Sequence, residues 1–131
     1  MPDTAMQSGA LRDLNWPGLV LNTVYVWALG LAVAFFGRLF GLDQIDIFVP
    51  LLTIIVALIA MWTAHRVAVR AGRHPLLHGL VLGLMVAITG FILSVLTTPI
   101  SASEIAAFLL QVLGGLMGGR TAQRVLTRTM P

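Results

Sequence analysis

PLLHGLVLGLMVAITGFILSVLTTPISAS, Pro75 to Ser103, is 29 consecutive residues without an aspartate, glutamate, lysine or arginine. A bilayer demands such a run: roughly 20 apolar residues, rising about 1.5 Å each, carry a helix across a hydrocarbon core about 30 Å thick. Two further charge-free runs flank it on the N-terminal side, Trp16–Gly37 and Ile47–His65, and a shorter one follows at Ile105–Gly119. The chain as a whole matches these segments. Of its 131 residues 58% are hydrophobic and 10% charged, with a mean hydropathy of +0.95, against about 25% charged residues in soluble globular domains. The expectation is an all-α membrane protein of four transmembrane helices, with spans at about 17–38, 45–66, 75–98 and 102–124 in a single domain, 16–128. An N-terminal cytoplasmic or interfacial arm, 1–15, precedes it.

The first run is not read as a signal peptide, although Ala32-Val33-Ala34 imitates a cleavage site. Its apolar part exceeds the 7 to 15 residues, approximately, of such a segment. With no cysteine, disulfides and thiolate metal sites are excluded. All eight basic side chains are arginine, the usage of a GC-rich bacterial genome.

Those arginines set the expected orientation. Arg66, Arg70 and Arg73 fill the second link, Arg120, Arg124 and Arg128 the tail, and Arg12 the arm, whereas Arg38 stands alone on the other side. Positive charge is retained in the cytoplasm, so a bacterial inner (plasma) membrane with both termini cytoplasmic is expected. The same residues suit anionic lipid headgroups, at about 1 kcal/mol per arginine near the surface. They form a thin band around membrane segments, which does not point to nucleic acid.

TAHRVAVR, Thr63–Arg70, returns as TAQRVLTR, Thr121–Arg128. Sliding 17–70 over 75–128 without a gap gives 11 identities in 54 positions, and lays DQID, Asp43–Asp46, on SASE, Ser101–Glu104. Both quartets carry a capping residue followed three positions later by an acid, the signature of a helix start. The chain reads as two helical hairpin repeats, units 17–70 and 75–128, entering the bilayer in the same orientation and closing into one bundle.

Lipid supplies no hydrophobic drive between helices, so close backbone approach must hold them. The candidate packing or interface residues are Gly79 and Gly83 on the third helix, prolonged by Ala87 and Gly90, and Gly114, Gly115, Gly118 and Gly119 on the fourth. They serve either inside the chain or against a neighbour, leaving a homo-oligomer open. AGRHPLLHGLVLGLMV, Ala71–Val86, and the closing GGLMGGR together resemble short four-helix integral membrane proteins of bacteria of unknown function. In those, a basic A-G-R-x-x-x-x-x-G-x-x-x-G junction opens the third helix and a glycine-rich fourth helix ends the chain. The resemblance covers roughly residues 60 to 120 and implies the four-span fold without an activity; His74-Pro75 departs from its pattern.

Chemistry is read mostly by exclusion. A coupled carrier keeps an ionisable side chain at mid-membrane, but Asp3, Asp13, Asp43, Asp46 and Glu104 all fall in the arm or near helix starts. Ser94, Thr89, Thr97 and Thr98 have no histidine or acid at a spacing that makes a nucleophile, so no enzyme and no catalytic residue is expected. No metal site is expected either. His65 and His78, on adjacent helices near one interface with His74 between them, are the only candidate ligand pair for a haem or chlorophyll-type pigment; otherwise no cofactor beyond bound lipid is expected. Asn22, Thr23 and Gln111 suit interhelical hydrogen bonds, or the pathway of a channel. Trp16 and Trp62 suit interfacial anchoring, while Trp27 lies deeper, facing lipid, a partner or a pigment. In the arm, Ser8–Asn15 could form an interfacial helix with Leu11 and Leu14 turned to lipid. The functional expectation is a non-catalytic subunit with a structural or assembly role in a larger bacterial membrane complex, respiratory or photosynthetic, whose partners are other membrane-protein subunits and lipids. The alternative is a small homo-oligomeric channel or transporter.

Overall fold

The structure is a computed structural model that describes residues 11–97 and 99–129. Among these residues stand four long helices: α1, Trp16–Leu39; α2, Phe48–Ala71; α3, Pro75–Thr97; and α4, Ala102–Thr129. Each is long and apolar enough to cross a membrane. A single 3-10 turn, Leu42–Gln44, lies between α1 and α2.

Local chemistry sets most of these boundaries. The Asn15 side chain accepts from the Gly18 amide at 3.3 Å and caps α1, with Pro17 preset for the first turn. At the far end Gly41, with φ 73°, turns the chain out of the helix. Gly72, with φ 68°, closes α2 through its amide on the Ala68 carbonyl. The Glu104 carboxylate reaches back to the Ser101 amide at 2.8 Å at the start of α4, the acid half of the expected capping box.

DQID departs from the reading given to it. Leu42, Asp43 and Gln44 form the 3-10 turn, and α2 begins only at Phe48, with Ile47 making no side-chain cap. The left-handed Gly41 folds the chain back at once, so Asp43 is spent on Arg38 at 3.8 Å rather than on helix amides. Shifted by 58 residues, the helix ends Leu39 and Ala71 nonetheless fall on Thr97 and Thr129.

The helices pack unequally. α4 lies against α3 and α2, whereas α1 sits in the opposite groove, packed on α2 and α3 with no close backbone approach to α4. The α3–α4 contact is backbone on backbone: a Cβ on Gly79 would fall 2.7 Å from Gly119 Cα, and one on Gly115 would fall 2.6 Å from Gly83 Cα. Gly114 and Gly118 do the same on α2, meeting Ala57 and Ala64. Thus the two glycine strips of α4 serve two different neighbours within the chain. Rising numbers on α3 meet falling numbers on α4, while Ala57 and Ala64 meet Gly114 and Gly118 in rising order; α2 and α4 therefore run the same way.

The apolar core gathers Leu19 and Val26 of α1, Val56, Ala60, Ala64 and Val67 of α2, and Leu82 and Val86 of α3. Leu14 belongs to it at 5% exposure. The expectation that Leu14 faces lipid is corrected here: the chain just before α1 folds onto the bundle end, which turns this side chain inward and leaves Leu11 exposed. The remainder of the expected Ser8–Asn15 helix lies partly outside the described residues. Several polar side chains within the helices are satisfied by their own backbone. Asn22 bonds to Gly18, and Thr23, Thr53, Thr63 and Thr89 each bond to the carbonyl four residues back, which removes their need for water.

Candidate functional site

Two polar regions stand out against this background, one at the arginine-rich end of the bundle and one near its middle.

At the arginine-rich end, His78 is fully buried on the first turn of α3. Its Nδ1 lies 2.9 Å from the His74 carbonyl, and its Nε2 accepts the Asn15 backbone N–H at 3.2 Å. Because Nε2 accepts, the proton sits on Nδ1 and the ring is neutral in this arrangement. His78 therefore ties the start of α3 to the cap of α1. The link around it is tight: His74 holds φ 47°, a left-handed conformation unusual for a side-chain-bearing residue. Asp13 approaches both Arg73 and His74, at 3.8 and 3.7 Å.

His65 is held elsewhere, with Nδ1 2.9 Å from the Thr121 hydroxyl of α4. The two histidines proposed as a pigment pair thus make bonds to different helices, and His78 uses both ring nitrogens inside the chain. Arg66, Arg70, Arg73, Arg120, Arg124 and Arg128 are all exposed around this end. Arg66 lies over the Trp62 ring at 4.7 Å, a cation–π contact suited to an interfacial anchor.

The second region is a cavity of about 690 Å³. Its walls come from all four helices, running from Val49 and Ser103 at the starts of α2 and α4 to Trp27, Ala87 and Gln111 deeper in. Most of the lining is apolar, and Phe91 and Phe108 meet edge to face at 6.1 Å across it. At the deep end Gly90 makes the room. A Cβ there would fall 2.7 Å from the Trp27 ring and 3.5 Å from Gln111 Oε1, so the absence of a side chain lets indole and amide converge. The Trp27 Nε1–H is buried and has no hydrogen-bond partner among the described residues. Gln111 is 7% exposed, and its amide likewise bonds to no other described side chain or backbone group.

Sequence reasoning marked Trp27 and Gln111 singly, as a deep aromatic residue and a polar residue on the fourth helix. It marked Gly90 as part of a packing strip. What it missed is that the three meet, because no spacing within one helix relates residues 27, 90 and 111. Phe91, Phe108 and Glu104 on the cavity wall were missed for the same reason.

Comparison with known protein families, with curated proteins and with solved structures gives no match for this chain.

Proposed function

We propose that this chain is a non-catalytic subunit of a larger bacterial membrane complex, of the respiratory or photosynthetic kind, seated in the plasma membrane with both termini in the cytoplasm. The observation that carries the reading is how the helix surfaces are used. α4 spends its glycines on backbone contact with α2 and α3, while α1 is held on one side only and turns Leu21, Leu31, Phe35 and Leu39 outward. Such a molecule is a rigid three-helix block with a fourth helix offering apolar surface to a neighbour or to lipid. The described carboxylates and arginines stand in the links or toward helix ends, apart from Arg120, nine residues before the end of α4. The same-sense course of α2 and α4 and the 58-residue register of the helix ends support descent from a duplicated helical hairpin. The arginine-rich end supports the cytoplasmic assignment.

The second reading, a small homo-oligomeric channel or carrier, is favoured by one observation, the unpaired Gln111 amide in a cavity between helices. Purification from the native host in mild detergent separates the two. Stoichiometric membrane-protein partners are expected. A single homo-oligomeric species, with solute flux in liposomes and no co-purifying protein, would replace the subunit reading with the channel.

A further inference from the structure

We propose that the cavity between Trp27, Gly90 and Gln111 is a binding site for a neutral, membrane-soluble molecule bearing a carbonyl oxygen, of the quinone class. This inference stands on the cavity and does not require the subunit reading.

Two polar groups at the cavity's deep end, the Trp27 indole N–H and the Gln111 amide, have no partner among the described residues. A buried donor without an acceptor costs about 1–3 kcal/mol, and within a bilayer no bulk water relieves it. Trp27 Nε1–H is such a donor. The Gln111 amide beside it offers both a donor and an acceptor, matching either a carbonyl or the hydroxyl it becomes on reduction. Elsewhere in these helices Asn22 and the buried Thr23 and Thr63 are paired with their own backbone. The exception falls at the deep end of this cavity.

Depth selects the ligand. Gln111 stands nine residues beyond Ala102 and Trp27 eleven beyond Trp16, roughly 14 to 17 Å along their helices, close to the middle of a core about 30 Å thick. A phospholipid entering tail first would leave its ester carbonyls at the interface and bring only a methyl end to Trp27. A compact ring carrying its own carbonyl reaches the pair directly, and leaves its apolar tail to run along the cavity towards the helix starts. The volume of about 690 Å³ is within the range of small-molecule sites. The apolar lining and the edge-to-face Phe91–Phe108 wall suit a flat, uncharged ring.

The test uses the full chain in lipid nanodiscs, with Trp16→Phe and Trp62→Phe so that Trp27 is the only indole. A short-chain ubiquinone analogue is titrated, and in a second arm a phospholipid brominated near the acyl terminus. Saturable quenching by the quinone is expected, with little quenching by the brominated lipid once quinone is present. Gln111→Leu should weaken quinone binding about tenfold, the weight of one hydrogen bond. Because that variant also alters packing, binding to otherwise wild-type protein is followed independently by the quinone-dependent rise in unfolding temperature. Trp27→Phe, which keeps a ring and loses the N–H, should reduce that rise. Quenching that increases linearly with quinone, unchanged by Gln111→Leu and without a thermal shift, would overturn the proposal. So would saturable quenching by the brominated lipid that quinone fails to displace, which would make the occupant an acyl chain.

Discussion

His78 shows how one side chain can organise the end of a membrane bundle. A histidine on the first turn of a helix, followed closely by GLVLG, reads in sequence as an interfacial residue or a ligand. In the fold it is fully buried and joins the His74 carbonyl to the Asn15 amide. The Asn15 amide is one of the orphan donors at a helix start, and a ring from another helix satisfies it. Replacing His78 with leucine keeps apolar bulk but strands that donor. The expected cost is about 2 kcal/mol, read as a lowered unfolding temperature in detergent. Thr121→Val, which removes the partner of the more exposed His65, should cost well under half as much. A His78→Leu variant as stable as the unaltered chain would show that His78 contributes through volume alone.

At the scale of elements, charge-free runs locate helices well because each run must cover the hydrocarbon thickness. α1 and α3 begin where Trp16-Pro17 and Pro75 say they should, proline being tolerated only in a first turn. Capping motifs were less dependable. SASE and DQID look alike in sequence, yet only Glu104 turns back onto its helix start. The difference lies just upstream: Gly41 adopts a left-handed turn that commits Leu42–Gln44 to a 3-10 turn, whereas Pro99-Ile100 feeds directly into Ser101. It follows that Glu104→Ala should lower the unfolding temperature measurably, whereas Asp46→Ala should leave it nearly unchanged. Thermal melts of the two variants in one detergent check this, and a loss for Asp46→Ala equal to that for Glu104→Ala would restore the symmetric capping scheme. The cavity was beyond such reading. Trp27, Gly90 and Gln111 are separated by whole helices, and no periodicity announces their convergence.

For the whole molecule the decisive property is the segregation of charge. Contacts fix which ends lie together: Asn15 with His78 and His65 with Thr121 gather the start of α1, the end of α2, the start of α3 and the later part of α4 at one pole. Seven of the eight arginines belong to that pole, and Arg38, paired with Asp43, to the other. On the proposed plasma-membrane placement, the retention of positive charge puts the arginine-rich pole in the cytoplasm. The chain has no cysteine, so single cysteines can report on sidedness without background. Gln44→Cys, in the turn beside Arg38, should react with a membrane-impermeant maleimide in intact spheroplasts. Gln123→Cys, exposed on α4 between Arg120 and Arg124, should react only after permeabilisation. Removing Arg66, Arg70 and Arg73 together, as asparagines, should produce a mixed population labelled at both sites, because the remaining bias then rests on Arg12 and the α4 arginines. Labelling of Gln123→Cys in intact spheroplasts with the arginines in place would invert the orientation. Labelling of Gln44→Cys and Gln123→Cys from the same face would mean an even number of crossings between them, against the three crossings that α2, α3 and α4 provide. That result would end both the hairpin repeat and the bundle as a membrane structure.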